Sequence, residues 1–206
     1  MNSSIVIQQP AAGASHLFLL FHGVGSNARD LLPVGQGIAR QFPGAMVVSV
    51  DGPHASDLGA GRQWFSVIGV TEEGRPARIA QAMPLFLSTV GEWQQKAGVE
   101  PAQTTLVGFS QGAIMALEST QQATLPAHRV VAFAGRFATA PRQAPAGLSV
   151  HLIHGDQDNV IAPRFSREAA QALKALGGQV THDSVPGLGH GIDATAFGHM
   201  VTRLQA

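Results

Sequence analysis

Ser110, Asp158 and His190 have the residue types, and the order along the chain, to pass a proton from one to the next. Ser110 is the centre of Gly108-Phe109-Ser110-Gln111-Gly112, a G-x-S-x-G pentapeptide. With 24 glycines in 206 residues such a pentapeptide also arises by chance in a loop, so its context decides its meaning. A β-branched and apolar run at 104–107 enters it and a helix-forming run at 113–117 leaves it. A serine on so tight a strand-to-helix turn is strained, and a Cβ at 108 or 112 would collide with neighbouring chain, so glycine is favoured at both. The helix that follows aims its first N–H groups at the same spot, where a developing negative charge is stabilised. A serine hydroxyl is a weak nucleophile at neutral pH. It needs a base to take its proton and a third group to orient that base. On an elbow of this kind the order is serine, acid, histidine, which makes His190 the candidate general base and Asp158 the carboxylate that holds it.

Each partner has rivals. Asp156 lies two residues from Asp158, with a turn-forming or solvated role as its alternative. His154 reads as locally structural, while His182 falls in an expected strand and His199 in an expected helix, so neither is presented from a loop. The nine histidines show no H-E-x-x-H or similar ligand spacing that would mark a zinc site. Before the elbow, the loop His22-Gly23-Val24-Gly25 follows an apolar run. It lacks the third glycine and the acidic residue of a dinucleotide loop. The better reading is a backbone loop that turns the Val24 N–H toward Ser110, paired with the Gln111 N–H as an oxyanion hole. His22 then anchors the loop.

These residues need elements to carry them. Apolar runs at 5–7, 16–21, 45–50, 104–107, 128–134 and 149–153, and the alternating 179–185, read as strands. Helices are expected at 29–41 (with an awkward start at Pro33), 75–97, 110–122, 163–176 and 194–204. In 75–97 the apolar residues Ile79, Met83, Phe86, Leu87, Val90 and Trp93 recur every three or four positions, with a bend expected at Pro84. Strands alternating with helices specify an α/β fold with a mostly parallel sheet and its chemistry at the C-terminal strand ends. The segment 51–74 is too long and glycine-rich for a plain connection. It either packs over the core or walls a cleft, with Trp64 and Phe65 as apolar wall residues. Phe137, Ile161 and Leu188, on later loops, complete the expected cleft.

Composition narrows the function classes. Hydrophobic residues are 45% and charged residues 13%, as in a compact globular chain, and the length suits a single domain over 1–206. Thirteen basic and thirteen acidic residues give zero formal charge, so no footprint for nucleic acid or an acidic membrane is expected. Cysteine is absent, which removes disulfides, thiolate metal sites and a cysteine nucleophile. The start, Met1-Asn2-Ser3-Ser4, carries no positive charge and no apolar run reaches membrane-spanning length, so a soluble cytoplasmic protein is expected.

Taken together, the Gly108–Gly112 elbow, His22-Gly23-Val24-Gly25, Trp64-Phe65, His154-Gly155-Asp156-Gln157-Asp158 and Leu188-Gly189-His190 resemble the phospholipase/carboxylesterase family of α/β-hydrolases, which includes the acyl-protein thioesterases. The resemblance covers roughly residues 16–204. It implies an α/β-hydrolase fold with helices on both sheet faces and little or no lid. It also implies hydrolysis of small-molecule esters or thioesters of short to medium acyl length through an acyl-enzyme, without a cofactor. Stable membrane association is not expected, and either a monomer or a homodimer is compatible with it. A catalytically silent binding protein on the same fold and a dienelactone-type hydrolase are the alternatives. One position departs from the family: Ser66 stands where aspartate usually follows Trp-Phe.

Overall fold

The computed structural model describes residues 4–205; Met1-Asn2-Ser3, read above for charge, and Ala206 lie outside them. Seven strands form one sheet: β1 (Ile5–Gln8), β2 (His16–Phe21), β3 (Ala45–Val50), β6 (Thr104–Phe109), β7 (Arg129–Phe133), β8 (Ser149–Gly155) and β9 (Gln179–Val185). Their spatial order is β1-β3-β2-β6-β7-β8-β9. Only β1, at the edge, runs antiparallel; every other pair is parallel. A two-stranded ribbon of β4 (His54–Ala55) and β5 (Arg62–Gln63), not foreseen from the sequence, sits apart from it.

Side chains alternate across the sheet, and this divides the core. Leu17, Leu19, Phe21, Leu106 and Leu152 face one side, where α2 (Arg75–Ala97), α3 (Gln111–Ser119) and α4 (Arg164–Ala175) cover them. Phe18, Leu20, Val107, Val131 and Ile153 face the other, under α1 (Leu32–Gln41) and α5 (Ala194–Gln205). A strand apolar on both faces is stable only when covered on both, which explains why β2, β3 and β6 read as unbroken apolar runs.

In α2 the expected stripe is seated as Ile79, Met83, Phe86 and Val90, all buried. The helix runs through the exposed Pro84, where the lost N–H leaves only a water-facing carbonyl. The helix expected over 29–41 instead begins at Leu32, after a 3-10 turn at Ala28–Leu31, so Pro33 falls in its first turn, where no N–H is needed. The elbow helix stops at Ser119, earlier than expected. There the Ser119 and Thr120 hydroxyls donate back to the Ala116 and Leu117 carbonyls at 2.7 and 2.6 Å.

The last strand is tied to the last helix by a bidentate pair. Arg203 Nε and Nη2 donate to Asp183 Oδ2 and Oδ1 at 3.0 and 2.7 Å. Burial pushes the Asp183 carboxyl up, but the hydrogen bonds and charge of Arg203 outweigh it and hold the group below its usual range. A carboxyl depressed on folding stabilises the protein above its unfolded pKa, and the contribution fades as pH falls through the folded one. Arg203→Met should therefore cost about 1–2 kcal/mol in urea unfolding at pH 7. Its deficit against the wild type should shrink once the pH drops below about 4.

Candidate active site

Ser110 takes φ 52° and ψ −116°, one of two described non-glycine residues with positive φ. Its N–H donates to Phe133 O at 3.0 Å, fastening the turn to β7, and its carbonyl accepts from Ile114 N–H at 3.0 Å to start α3. A Cβ on Gly108 would overlap the Ala113 backbone, so the chain entering and leaving the turn does come together there. A Cβ on Gly112 would overlap the Phe21 carbonyl instead, so that glycine admits the end of β2 rather than the elbow's own entering strand.

His190 and Asp158 meet this serine. His190 Nε2 lies 2.9 Å from Ser110 Oγ, and His190 Nδ1 lies 2.7 Å from Asp158 Oδ2. The Phe109 ring packs beside the imidazole, with centroids 5.1 Å apart. Asp158 Oδ1 accepts the Val160 and Ile161 N–H groups at 2.8 and 2.9 Å. Burial alone would raise this carboxyl, yet the hydrogen bond from His190 and those two backbone donors prevail and keep it low. Asp156 turns elsewhere, accepting Gly187 N–H at 2.7 Å and bracing the loop that carries His190. Gly155 lets that loop lie close, because a Cβ there would overlap the Leu188 carbonyl.

His154 is more than a local filler. Its Nε2 lies 3.1 Å from Asp158 Oδ2 and 2.9 Å from Ile161 O, so Nε2–H is shared between two acceptors. Its buried Nδ1 has no partner among the described residues, and burial pushes its pKa down, which favours the neutral ring. His22 is wholly buried. Nε2 accepts Gly52 N–H at 2.9 Å, so the proton sits on Nδ1, 2.7 Å from Gly23 O. Burial lowers its pKa as well. This neutral ring joins the loops after β2 and β3, the anchoring role expected of it.

A cavity of about 720 Å³ opens over Ser110, lined in part by Val24, Gln111, Phe65 and Ile161. Among the described residues neither the Val24 nor the Gln111 N–H has a protein acceptor. Three other expected wall residues do not line it. Trp64 is 2% exposed and packs against Phe21, Phe86 and His22, with its Nε1–H donating to His22 O at 2.9 Å. Phe137 turns into the core and borders a separate cavity of about 180 Å³. Leu188 packs against the opposite core, its carbonyl accepting Gln157 N–H at 3.0 Å. Apolar loop residues signalled burial in each case, but not on which side of the loop. The 51–74 segment thus does both things considered for it, sending Trp64 inward and Phe65 to the cavity.

The Gln111 side chain clamps this segment to the elbow. Its Oε1 accepts Trp64 N–H and its Nε2 donates to Phe65 O, both at 2.8 Å. Ser66 has a carboxylate at hand after all: its hydroxyl donates to Asp57 Oδ2 at 2.7 Å, and Val67 N–H donates to the same oxygen at 2.8 Å. The sequence showed neither link, since both join residues that only the fold brings together.

Comparison with known proteins follows the same lines. The chain matches the Phospholipase/Carboxylesterase family over residues 2–206. It belongs to that family. It is 49% identical over 188 residues to Esterase YpfH of Escherichia coli (strain K12), a match covering 91% of this chain and 81% of that relative. The crystal structure of esterase PE8 superposes with a TM-score of 0.90 at 29% identity, covering 99% of this chain and 98% of that one. The Bacillus cereus carboxylesterase shares the fold, with a TM-score of 0.82 at 19% identity over 99% of this chain and 93% of its own. The expected α/β-hydrolase fold and family are therefore correct. Among the described residues no helix is long and apolar enough to cross a membrane.

Replacing Gln111 by Leu leaves the buried Trp64 N–H and Phe65 carbonyl unpaired. The variant should lose about 1–3 kcal/mol in denaturant unfolding, with an altered near-ultraviolet signal from Trp64.

Proposed function

We propose that this chain hydrolyses carboxylic esters, and thioesters by the same route, with Ser110 as nucleophile, His190 as general base and then acid, and Asp158 as the carboxylate that orients His190. The observation that carries the reading is the continuous file from Ser110 Oγ through His190 (2.9 Å) to Asp158 Oδ2 (2.7 Å). Asp158, held ionised by four donors, favours the Nδ1–H tautomer of His190. That leaves Nε2 free to accept the serine proton, and the carboxylate then balances the imidazolium. Family membership and the esterases among its relatives support the same reaction class.

In this mechanism Ser110 Oγ attacks the acyl carbon while His190 takes its proton. The carbonyl oxygen becomes an oxyanion between the Val24 and Gln111 N–H groups, at the positive end of α3. His190 then protonates the departing alcohol or thiol, leaving an acyl group on Ser110. A water that gives its proton to His190 releases the acid. Phe65 and Ile161 line the cavity for the acyl chain.

Hydrolysis of p-nitrophenyl acetate and butyrate tests the reading. Ser110→Ala and His190→Ala should each lose about 10⁴- to 10⁶-fold in kcat while keeping the wild-type fold. Equal rates in wild type and Ser110→Ala would dismiss it. A fluorophosphonate probe should add to Ser110 of the wild type and not to the alanine variant.

A further inference from the structure

One wall of the cavity over Ser110 is built from guanidinium groups that the reaction described above does not use. Arg75, Arg136 and Arg164 all line it, with Glu72 as the single exposed carboxylate among them. Arg136 is buried; its Nη1 donates to Glu72 Oε1 at 3.2 Å, its Nη2 lies 2.8 Å from Glu72 Oε2 in an ion pair, and its Nε donates to Phe137 O at 3.1 Å. Its guanidinium plane is steadied by Phe165, 3.7 Å from the ring centroid. Arg75 Nη2 donates to the same Glu72 carboxylate at 3.0 Å, and its buried Nε has no partner among the described residues. Arg164 lies 5.0 Å over Phe165 and has no hydrogen bond or ion pair among the described residues.

The lining thus sets three cations against one exposed anion, and Glu72 pairs with only two of them. The cavity's other carboxylate, Asp158, does not redress the balance, because its side chain is fully buried and committed to His190, His154 and two backbone donors. An arginine carries five N–H donors, and Arg136 has two of them hydrogen-bonded to protein, Arg75 one. The helices add to the excess: α2 starts at Arg75 and α4 at Arg164, so both present their positive ends to this wall. Beside it, Val24, Phe65, Ile114 and Ile161 give the cavity an apolar stretch. An uncompensated cluster of guanidinium groups in a half-enclosed cleft is unfavourable until an anion arrives, and planar guanidinium suits a carboxylate or phosphate in a way an ammonium does not.

We propose that this wall is an anion-recognition subsite, so that the preferred ester bears a carboxylate or phosphate separated from the scissile bond by a short apolar stretch. The inference rests on Ser110 acting as nucleophile and narrows its substrate class. An anion on the acyl side and one on the leaving-group side are both served by the same chemistry. Matched pairs separate them: 1-naphthyl hydrogen adipate against 1-naphthyl methyl adipate for the acyl side, and 1-butyrylglycerol 3-phosphate against 1-butyrylglycerol for the leaving side.

The readout is the ratio of kcat/KM for the charged ester to that for its neutral mate. In one pair, which identifies the side, the ratio should be about tenfold or more at low salt. It should fall toward one in 0.5 M NaCl and in the Arg75→Gln/Arg164→Gln double variant, with Arg136→Lys giving a partial loss. Ratios at or below one in both wild-type pairs would overturn the proposal, and so would a high ratio that neither salt nor the substitutions change. Should the double variant fail to fold, the wild-type ratios and their salt response decide alone. Neutral esters cleaved equally by wild type and Ser110→Ala would instead remove the underlying assignment, a result distinct from a hydrolase indifferent to charge.

Discussion

The site depends on the close approach of three backbone segments around Ser110. Parallel registry sets Phe21 of β2 beside Gly108 of β6, and Phe109 of β6 beside Phe133 of β7. From that registry the end of β2 passes against Gly112, and the Phe133 carbonyl receives the Ser110 N–H. The positive φ of Ser110 costs energy that a free turn would relieve. It is maintained because moving any of the three segments would break sheet hydrogen bonds or force backbone atoms together. Gly23, whose Cβ position lies 3.2 Å from Ser110 Cβ, extends the same constraint to the loop holding the Val24 N–H. One constraint therefore fixes the positions of Ser110 and of the loop carrying the Val24 N–H together.

The carboxylate of Asp158 is the second fixed point, and it works by saturation. Burial penalises its charge, and four N–H donors answer that penalty, two on each oxygen once His190 and His154 are counted. The two histidines play different parts although both reach Oδ2. His154, near the end of β8, also faces the Ile161 carbonyl, so it fixes the carboxylate. His190 is partly exposed and keeps its other nitrogen for Ser110.

Much of this could be read before any coordinates, and the reasons differ by residue. The elbow was legible because its constraint is local: glycine at 108 and 112, strand before, helix after. Asp158 and His190 were legible because chain order places them on successive loops at one sheet edge. Trp64, Phe137 and Leu188 were misplaced because hydropathy reports burial and not direction, and a loop has no period from which a facing side can be counted. The Gln111 clamp, the Ser66–Asp57 pair and the second donor on Asp158 join positions distant in sequence or off the predicted elements, so nothing in the local pattern announces them.

The segment following β5 shows how these constraints grade across the cleft. At its start Trp64 and Phe65 are buried and tied to Gln111, next to Ser110. A few residues on, the Asp57 carboxylate accepts from the Ser66 hydroxyl and the Val67 N–H, tying the turn to the ribbon side. Further along, Ile68 is 67% exposed and Glu72 hangs from the loop, held only by the arginines it pairs with. Burial therefore declines along the segment, from Phe65 at 5% exposed to Ile68 at 67%. Preorganisation matters most at the reacting atoms, where an ångström of misplacement costs about a hundredfold in rate. Glu72, exposed and paired with Arg75 and Arg136, can instead yield those contacts to an incoming anion without disturbing the serine.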